Sequence, residues 1–239
     1  MKKVKENITG VVTVLLLVLN TLFWASFLFP IAVLKIIPVK IWRKFINNIL
    51  DTIACCWIYC NNAGLKMTRT IHWDVSGVEN LSKKSWYIVI ANHQSWTDIV
   101  VLQKILTGKI PFLKFFLKKE LIWVPVLGLA WWALDFPFMR RYSQSFLLKY
   151  PHLKGKDIEV TKKACQKFKY IPVSIMNFVE GTRFTPEKHA KQESPYKNLL
   201  KPKSGGIGFV FSTMGNMITS ILDVTIVYPQ GRMSFWDFL

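Results

Sequence analysis

The apolar run Ile88–Ala91 stops at Asn92-His93, and Asp98 follows the histidine five residues later in the stretch IVIANHQSWTD. An imidazole held by a carboxylate through one ring nitrogen keeps the other nitrogen free as a base, and the carboxylate stabilises the imidazolium that forms. The same residues also read as a helix start. Ser95-x-x-Asp98 fits a capping box, and an acid in the first turn suits the helix dipole. The two readings are compatible, because helical side chains lean toward the N-terminus and Asp98 can reach back to the His93 loop. A metal centre would need two or three more ligands near His93, and the sequence offers none. His72, His152 and His189 stand singly, and there is no H-E-x-x-H. No Ser or Cys nucleophile accompanies His93, and no G-x-S-x-G elbow occurs. The substrate would then bring the nucleophile, and an alcohol is the natural candidate.

The elements around this motif alternate. Trp86–Ala91 is a continuous apolar run that fits a strand buried on both faces. Helical periodicity follows in WTDIVVLQKIL. A second buried strand is expected in YIPVSIMNFVE, ending at Glu180 before the tight turn Gly181-Thr182-Arg183. A third lies in MITSILDVTIVYP, closed by Pro229, and IHWDVSGVE alternates in strand fashion with Gly77 as a turn. Strands alternating with helices predict an α/β domain with a largely parallel sheet, whose chemistry sits outside the carboxyl ends of the strands. His93 and Arg183 both fall just past strand ends. The glycines of KPKSGGIGFVF match neither a P-loop nor a dinucleotide fingerprint.

Charge and hydropathy place the chain at a membrane. Thr9 to Leu34 carries no charged residue. As helix the run is ~39 Å long at 1.5 Å per residue, enough for a ~30 Å hydrocarbon core, and too long for a cleaved signal peptide. Lys2, Lys3 and Lys5 precede it, while Lys35, Lys40, Arg43 and Lys44 follow it. The positive-inside tendency favours both flanks on the cytoplasmic side. Two arrangements fit: a spanning helix, or a re-entrant element that returns at Pro30 or Pro38, with a following helix at about Ile41–Asn61 in the interface. A net charge of +18, from 32 Lys+Arg against 14 Asp+Glu, reads as attraction to an anionic membrane surface. Seven lysines between Lys149 and Lys169 gather around one amphipathic stretch. No zinc-finger spacing or RNA-binding motif supports nucleic acid as a partner. Cys55, Cys56, Cys60 and Cys165 form no C-x-x-C pair and fit reduced thiols in a cytoplasmic setting.

With its H-x4-D, NHQSWTD resembles the first block of the glycerolipid (PlsC-type) acyltransferases. Three further blocks follow in order. KKELIWVPVLGLAWWALDFPFMRR is similar to block II, FVEGTRF to the E-G-T-R block III, and LDVTIVYP to block IV in the form of lysophosphatidic acid and lysocardiolipin acyltransferases. EGTRFTPEKH and KNLLKPKSGG further resemble the bacterial YihG-like subgroup. The resemblance covers about residues 70 to 230. It implies acyl transfer from acyl-CoA or acyl carrier protein to the hydroxyl of lysophosphatidic acid or a related lysophospholipid, with no cofactor beyond that co-substrate. It assigns His93 as general base and Asp98 as its orienting acid. Glu180, Gly181, Thr182 and Arg183 fall to the acceptor-phosphate block, Arg141 and Lys118 to phosphate contacts, and Arg140 to a variable neighbour. Asn92 and Pro229 are further candidates, and Tyr228-Pro229 stands where the family pattern has Val-Pro. The implied organisation is N-terminal membrane helices over 1–62 and an acyltransferase domain over 63–239. The abrupt stop at SFWDFL leaves a missing C-terminal segment open. The implied location is the bacterial inner membrane, with the catalytic domain on the cytoplasmic side. Two rivals remain: a non-catalytic lipid-binding module, which would not need His93, and a lipid A-type acyltransferase, against which the E-G-T-R block argues.

Overall fold

A computed structural model describes residues 2–139, 149–150, 159, 162, 165–166, 168, 171–231 and 235–238. Two long helices come first, α1 (Lys2–Val33) and α2 (Lys40–Thr68), joined by a short 3-10 turn at Leu34–Ile36. They pack antiparallel. Pro30 lies inside α1, and the chain reverses after it. Along the hairpin, Asn20 donates to the Asn61 side chain at 2.7 Å and to the Trp57 carbonyl at 3.0 Å, and the Trp57 indole donates to Thr21 at 3.1 Å. The division at residue 62 falls inside α2, which continues to Thr68.

The rest is an αβ unit. β1 (Tyr87–Ala91) is followed by α3 (Thr97–Leu106), β2 (Leu113–Phe115), β3 (Leu117–Lys118), α4 (Leu127–Ala133) and β4 (Phe138–Met139). β5 (Ser174–Phe178), α5 (Pro186–Gln192), α6 (Ser204–Met214), β6 (Ser220–Val224) and α7 (Phe235–Phe238) complete it. The main sheet has the order β2-β5-β1-β6 and is parallel throughout; β3 and β4 form a separate parallel pair. β1 is central, and Ile88, Val89 and Ile175 are sealed from solvent, each contributing ~1.5–3 kcal/mol by burial. β6 is an edge strand, with Ile221 more than half exposed.

The three expected strands and the helix after His93 are all present. Two features differ from expectation. The alternating stretch 71–79 joins no ladder and is mostly exposed; Ile71 packs against the cluster of Leu65 and Phe238, and Trp73 lies under the Lys104 ammonium. β2 is an additional strand of three residues beside β5. The basic stretch expected around 149–169 lies mostly outside the described residues.

The helical hairpin shares its core with the αβ unit. Leu28 of α1 and Ile46, Leu50, Ile53 and Ala54 of α2 cluster with Ala133, Leu134 and Phe136. Nearer the N-terminus, Val14 and Leu17 pack against the cluster of Leu65 and Phe238. Two ion pairs add to this seam. Lys35 reaches Asp135 at 2.5 Å and the Ala133 carbonyl at 2.9 Å, while the nearly buried Lys114 lies 3.6 Å from Asp51. Burial pushes the Asp51 carboxyl up, against the lowering pull of Lys114. The opposite face of α1 stays apolar and exposed, including Val11, Leu15, Leu19, Leu22, Phe23 and Phe27.

Candidate active site

The register of the sheet brings the functional segments to one edge. Ala91, the last residue of β1, is level with Phe178 at the end of β5 and with Val224 at the end of β6. The His93 loop, the Glu180–Arg183 turn and the Tyr228 segment therefore leave the sheet together. Asn92 ties the first to the third: its amide donates to the Ile226 carbonyl at 2.9 Å and accepts from the Ile226 amide at 2.7 Å.

His93 is held from four sides. Its backbone amide donates to Glu180 Oε1 at 2.7 Å, and its carbonyl accepts from the Phe184 amide at 2.7 Å. The ring stacks on Phe178, with centroids 3.8 Å apart and planes inclined by 13°. Nδ1 lies 2.8 Å from Asp98 Oδ2. That oxygen also accepts from the Gln94 amide at 2.6 Å and the Ser95 amide at 2.9 Å. Facing an acceptor, Nδ1 carries the proton and Nε2 keeps its lone pair. The His93 side chain is 13% exposed and that of Asp98 fully enclosed. Burial pushes the Asp98 carboxyl up, but hydrogen bonds from His93, Tyr228, Ser95 and Gln94 outweigh it and hold the group below the ordinary value of 3.8. Only half of the expected capping box is present. The carboxylate that orients the imidazole also receives the Ser95 amide, but Ser95 Oγ accepts from the Thr97 amide at 3.3 Å rather than from Asp98, and the cap position is Trp96.

The E-G-T-R turn wraps the same loop. Glu180 is buried, with Oε1 on the His93 amide and Oε2 on the Leu200 amide at 2.8 Å. Glu180 is expected in the acceptor-phosphate block, and the structure places it inside the fold. Its carboxylate faces inward and braces two loops, and its charge would repel a phosphate. Gly181 has φ +68°, in the left-handed region that favours glycine, and the Lys203 stem fills the space a side chain would take. Thr182 Oγ1 accepts from Lys188 Nζ at 2.8 Å, and the Arg183 carbonyl accepts from the same ammonium at 3.0 Å. Arg183 is exposed, with its guanidinium carbon 4.8 Å from the centre of the Trp96 ring. Lys118 is exposed at the end of β3. Arg140 and Arg141 lie outside the described residues. Pro229 follows the half-buried Tyr228 and is itself exposed. Gly128, in the second block, sits so close to the Ile122 carbonyl that a Cβ would lie 2.1 Å from its oxygen.

Three residues in this region escape sequence reasoning. Phe178 is hidden inside an apolar strand, and Lys188 inside a basic run. Tyr228 donates to Asp98 Oδ1 at 2.5 Å and lies 2.8 Å from Thr97 Oγ1; its only sequence signal is its departure from the Val-Pro pattern. A cavity of about 410 Å³, lined by Leu65, Arg69, Trp73, Val100 and Lys104 among others, lies on the face of α3 away from Asp98 and contains none of these groups.

A family model described as Acyltransferase matches residues 72–228, spanning the His93 loop, the E-G-T-R turn and Tyr228. The chain belongs to the acyltransferase family. It is 25% identical over 210 residues to 1-acyl-sn-glycerol-3-phosphate acyltransferase 3 of Arabidopsis thaliana, covering 81% of this chain and 51% of that protein. It is 26% identical over 173 residues to 1-acyl-sn-glycerol-3-phosphate acyltransferase gamma of Mus musculus, covering 68% of this chain and 43% of the relative. The chain spans about half the length of these curated relatives. Its fold is that of the crystal structure of the 1-acyl-sn-glycerophosphate acyltransferase PlsC from Thermotoga maritima, with a TM-score of 0.50, 20% identity, and coverage of 94% of this chain and 84% of that one.

Proposed function

We propose that this family member is a membrane-bound O-acyltransferase that moves a fatty acyl group from acyl-CoA or acyl carrier protein to the free hydroxyl of lysophosphatidic acid or a close lysophospholipid. The observation that carries the reading is the His93–Asp98 pair, which leaves Nε2 as a free base beside the turn that holds Arg183. Curated relatives named as 1-acyl-sn-glycerol-3-phosphate acyltransferases support the choice of acceptor.

In this mechanism Nε2 takes the proton of the acceptor hydroxyl as its oxygen attacks the thioester carbonyl, and Asp98 stabilises the imidazolium. The new C–O bond completes a tetrahedral intermediate. Its collapse breaks the C–S bond, and the leaving thiolate takes the proton back from His93. Arg183 binds the acceptor phosphate as a fork and aligns the adjacent hydroxyl with Nε2, an alignment worth several kcal/mol of the barrier. Lys118 and Arg141 are further phosphate contacts in this reading. Glu180, Gly181 and Asn92 shape the loops rather than touch substrate.

The helical hairpin would hold the enzyme at a bacterial inner membrane, with the catalytic edge on the cytoplasmic side where thioester donors are found. Since α1 packs on the αβ unit from Val14 to Leu28, an arrangement lying along the interface with its apolar face in the lipid suits it better than a free-standing span. Thiol release from acyl-CoA against a panel of lysophospholipids tests the proposal. Turnover with lysophosphatidic acid supports it. Thioester hydrolysis without acyl transfer to any lysophospholipid contradicts it.

A further inference from the structure

We propose that Tyr228 is a positioning residue for the catalytic pair, the link between Thr97 and Asp98 in a hydrogen-bond line running Thr97–Tyr228–Asp98–His93. The inference rests on the reading of His93 as the general base.

A buried carboxylate needs hydrogen-bond donors on both oxygens. Asp98 is fully enclosed, and its Oδ2 already receives His93 Nδ1, the Gln94 amide and the Ser95 amide. All three donors belong to the loop that precedes Asp98. Oδ1 faces the other way and receives Tyr228 Oη at 2.5 Å. A phenol has one proton. Donating it to the carboxylate leaves Oη as an acceptor, so the contact with Thr97 Oγ1 at 2.8 Å is a donation from threonine. The line therefore has one direction, from Thr97 through Tyr228 to Asp98. Burial and the hydrogen bond to Asp98 push the tyrosine hydroxyl well above its ordinary range, so it stays protonated and remains a donor wherever the enzyme works.

Two consequences follow. Thr97 and Asp98 are consecutive at the start of α3, and Tyr228 grips both from the segment beyond β6, which stops the carboxylate from rotating. The phenol also draws charge from the carboxylate and moderates its pull on the imidazolium. Without it, a bare carboxylate oxygen would hold the His93 proton more tightly, and base function would begin at a higher pH. The other ionisable groups around the pair are Glu180, braced on the His93 amide, Arg183 over Trp96, Lys188 behind Arg183, and Lys203 against Gly181. None of them touches Oδ1 or Tyr228 among the described residues.

The test is the pH profile of kcat/KM for Tyr228→Phe, with lysophosphatidic acid and acyl-CoA as substrates. The expected result is a kcat lowered ~5–50-fold, an acidic limb displaced upward by roughly half a pH unit, and little change in either KM. An unmoved acidic limb in an otherwise folded variant overturns the proposal, as does a change confined to the acceptor KM, which would make Tyr228 a substrate contact. If Tyr228→Phe does not fold, Thr97→Val decides: it weakens the same line from its far end and should shift the limb in the same direction by less. His93→Ala run in parallel separates the two levels. Retained turnover there removes the base itself, whereas loss of turnover beside an unshifted Tyr228→Phe limb removes only the role given to Tyr228.

Discussion

The guanidinium of Arg183 lies over the ring of Trp96, with 4.8 Å between its central carbon and the ring centre. Trp96 stands two residues before Asp98, so the proposed phosphate fork rests on the loop that carries the proposed base. Such a contact contributes ~0.5–1 kcal/mol at an exposed site and pre-orients a side chain that would otherwise sample many rotamers. Arg183→Ala should raise the acceptor KM and lower kcat together, because a lost clamp loosens both binding and alignment. Trp96→Leu should reproduce the KM effect more weakly, by ~2–5-fold, with the donor KM unchanged. Steady-state kinetics on both variants checks this; unaltered acceptor kinetics in Arg183→Ala would make that residue structural.

Asp98→Asn should cost turnover and stability by separate routes. The amide cannot stabilise imidazolium, and in the serine-protease triad the same exchange costs ~10⁴ in kcat. With a thiol leaving group the expected loss is on the order of 10²–10³. The stability effect depends on pH. Because the folded carboxyl is held below 3.8, its ionisation stabilises the fold at every pH above the unfolded value of ~3.9. That contribution fades only as pH falls through the lower, folded value. The Tm gap between wild type and Asp98→Asn should be flat from neutrality to about pH 5 and should narrow below about pH 4. A gap that closes near neutral pH would contradict the assignment.

How much was legible in the sequence depended on the range of the interaction. The central strands announced themselves because a strand buried on both faces must be apolar throughout, as in Tyr87–Ala91. The His93–Asp98 pair was legible because both members belong to one loop-to-helix junction. The alternation in 71–79 misled, since an alternating sequence pattern does not by itself bury a segment: Trp73 and Val75 are both exposed there. Glu180 and Tyr228 were illegible for one reason: their partners stand 87 and 130 residues away, and nothing local distinguishes a carboxylate that faces inward. Lys114 and Asp51 likewise look like surface charges until β2 and α2 bring them together.

The tether between hairpin and αβ unit should be measurable. Lys35 joins Asp135 and the Ala133 carbonyl at the end of α4, and Asp135 holds a φ of +58°. Lys35→Met removes the charge and both hydrogen bonds while keeping the stem, leaving Asp135 largely enclosed without this partner. A loss of ~1–3 kcal/mol in thermal or denaturant unfolding is expected, with kcat little affected. An unchanged melt would show that solvent replaces the ammonium at no cost.

Membrane attachment should resist salt. The exposed face of α1 is apolar from Val11 to Phe27, and salt does not screen hydrophobic insertion. Membranes washed in ~1 M salt should retain the protein, and detergent should release it. Release by salt alone would assign the attachment to the +18 net charge.

The most direct measurement is acyl transfer by His93→Ala, followed as thiol release from acyl-CoA with lysophosphatidic acid, alongside its thermal melt and membrane retention. With His93 as the base, turnover should fall at least ~10³-fold, while the melt and the membrane-bound fraction stay near wild type. A folded, membrane-bound His93→Ala protein that still transfers acyl groups at close to the wild-type rate would contradict the account and leave NHQSWTD as a helix start.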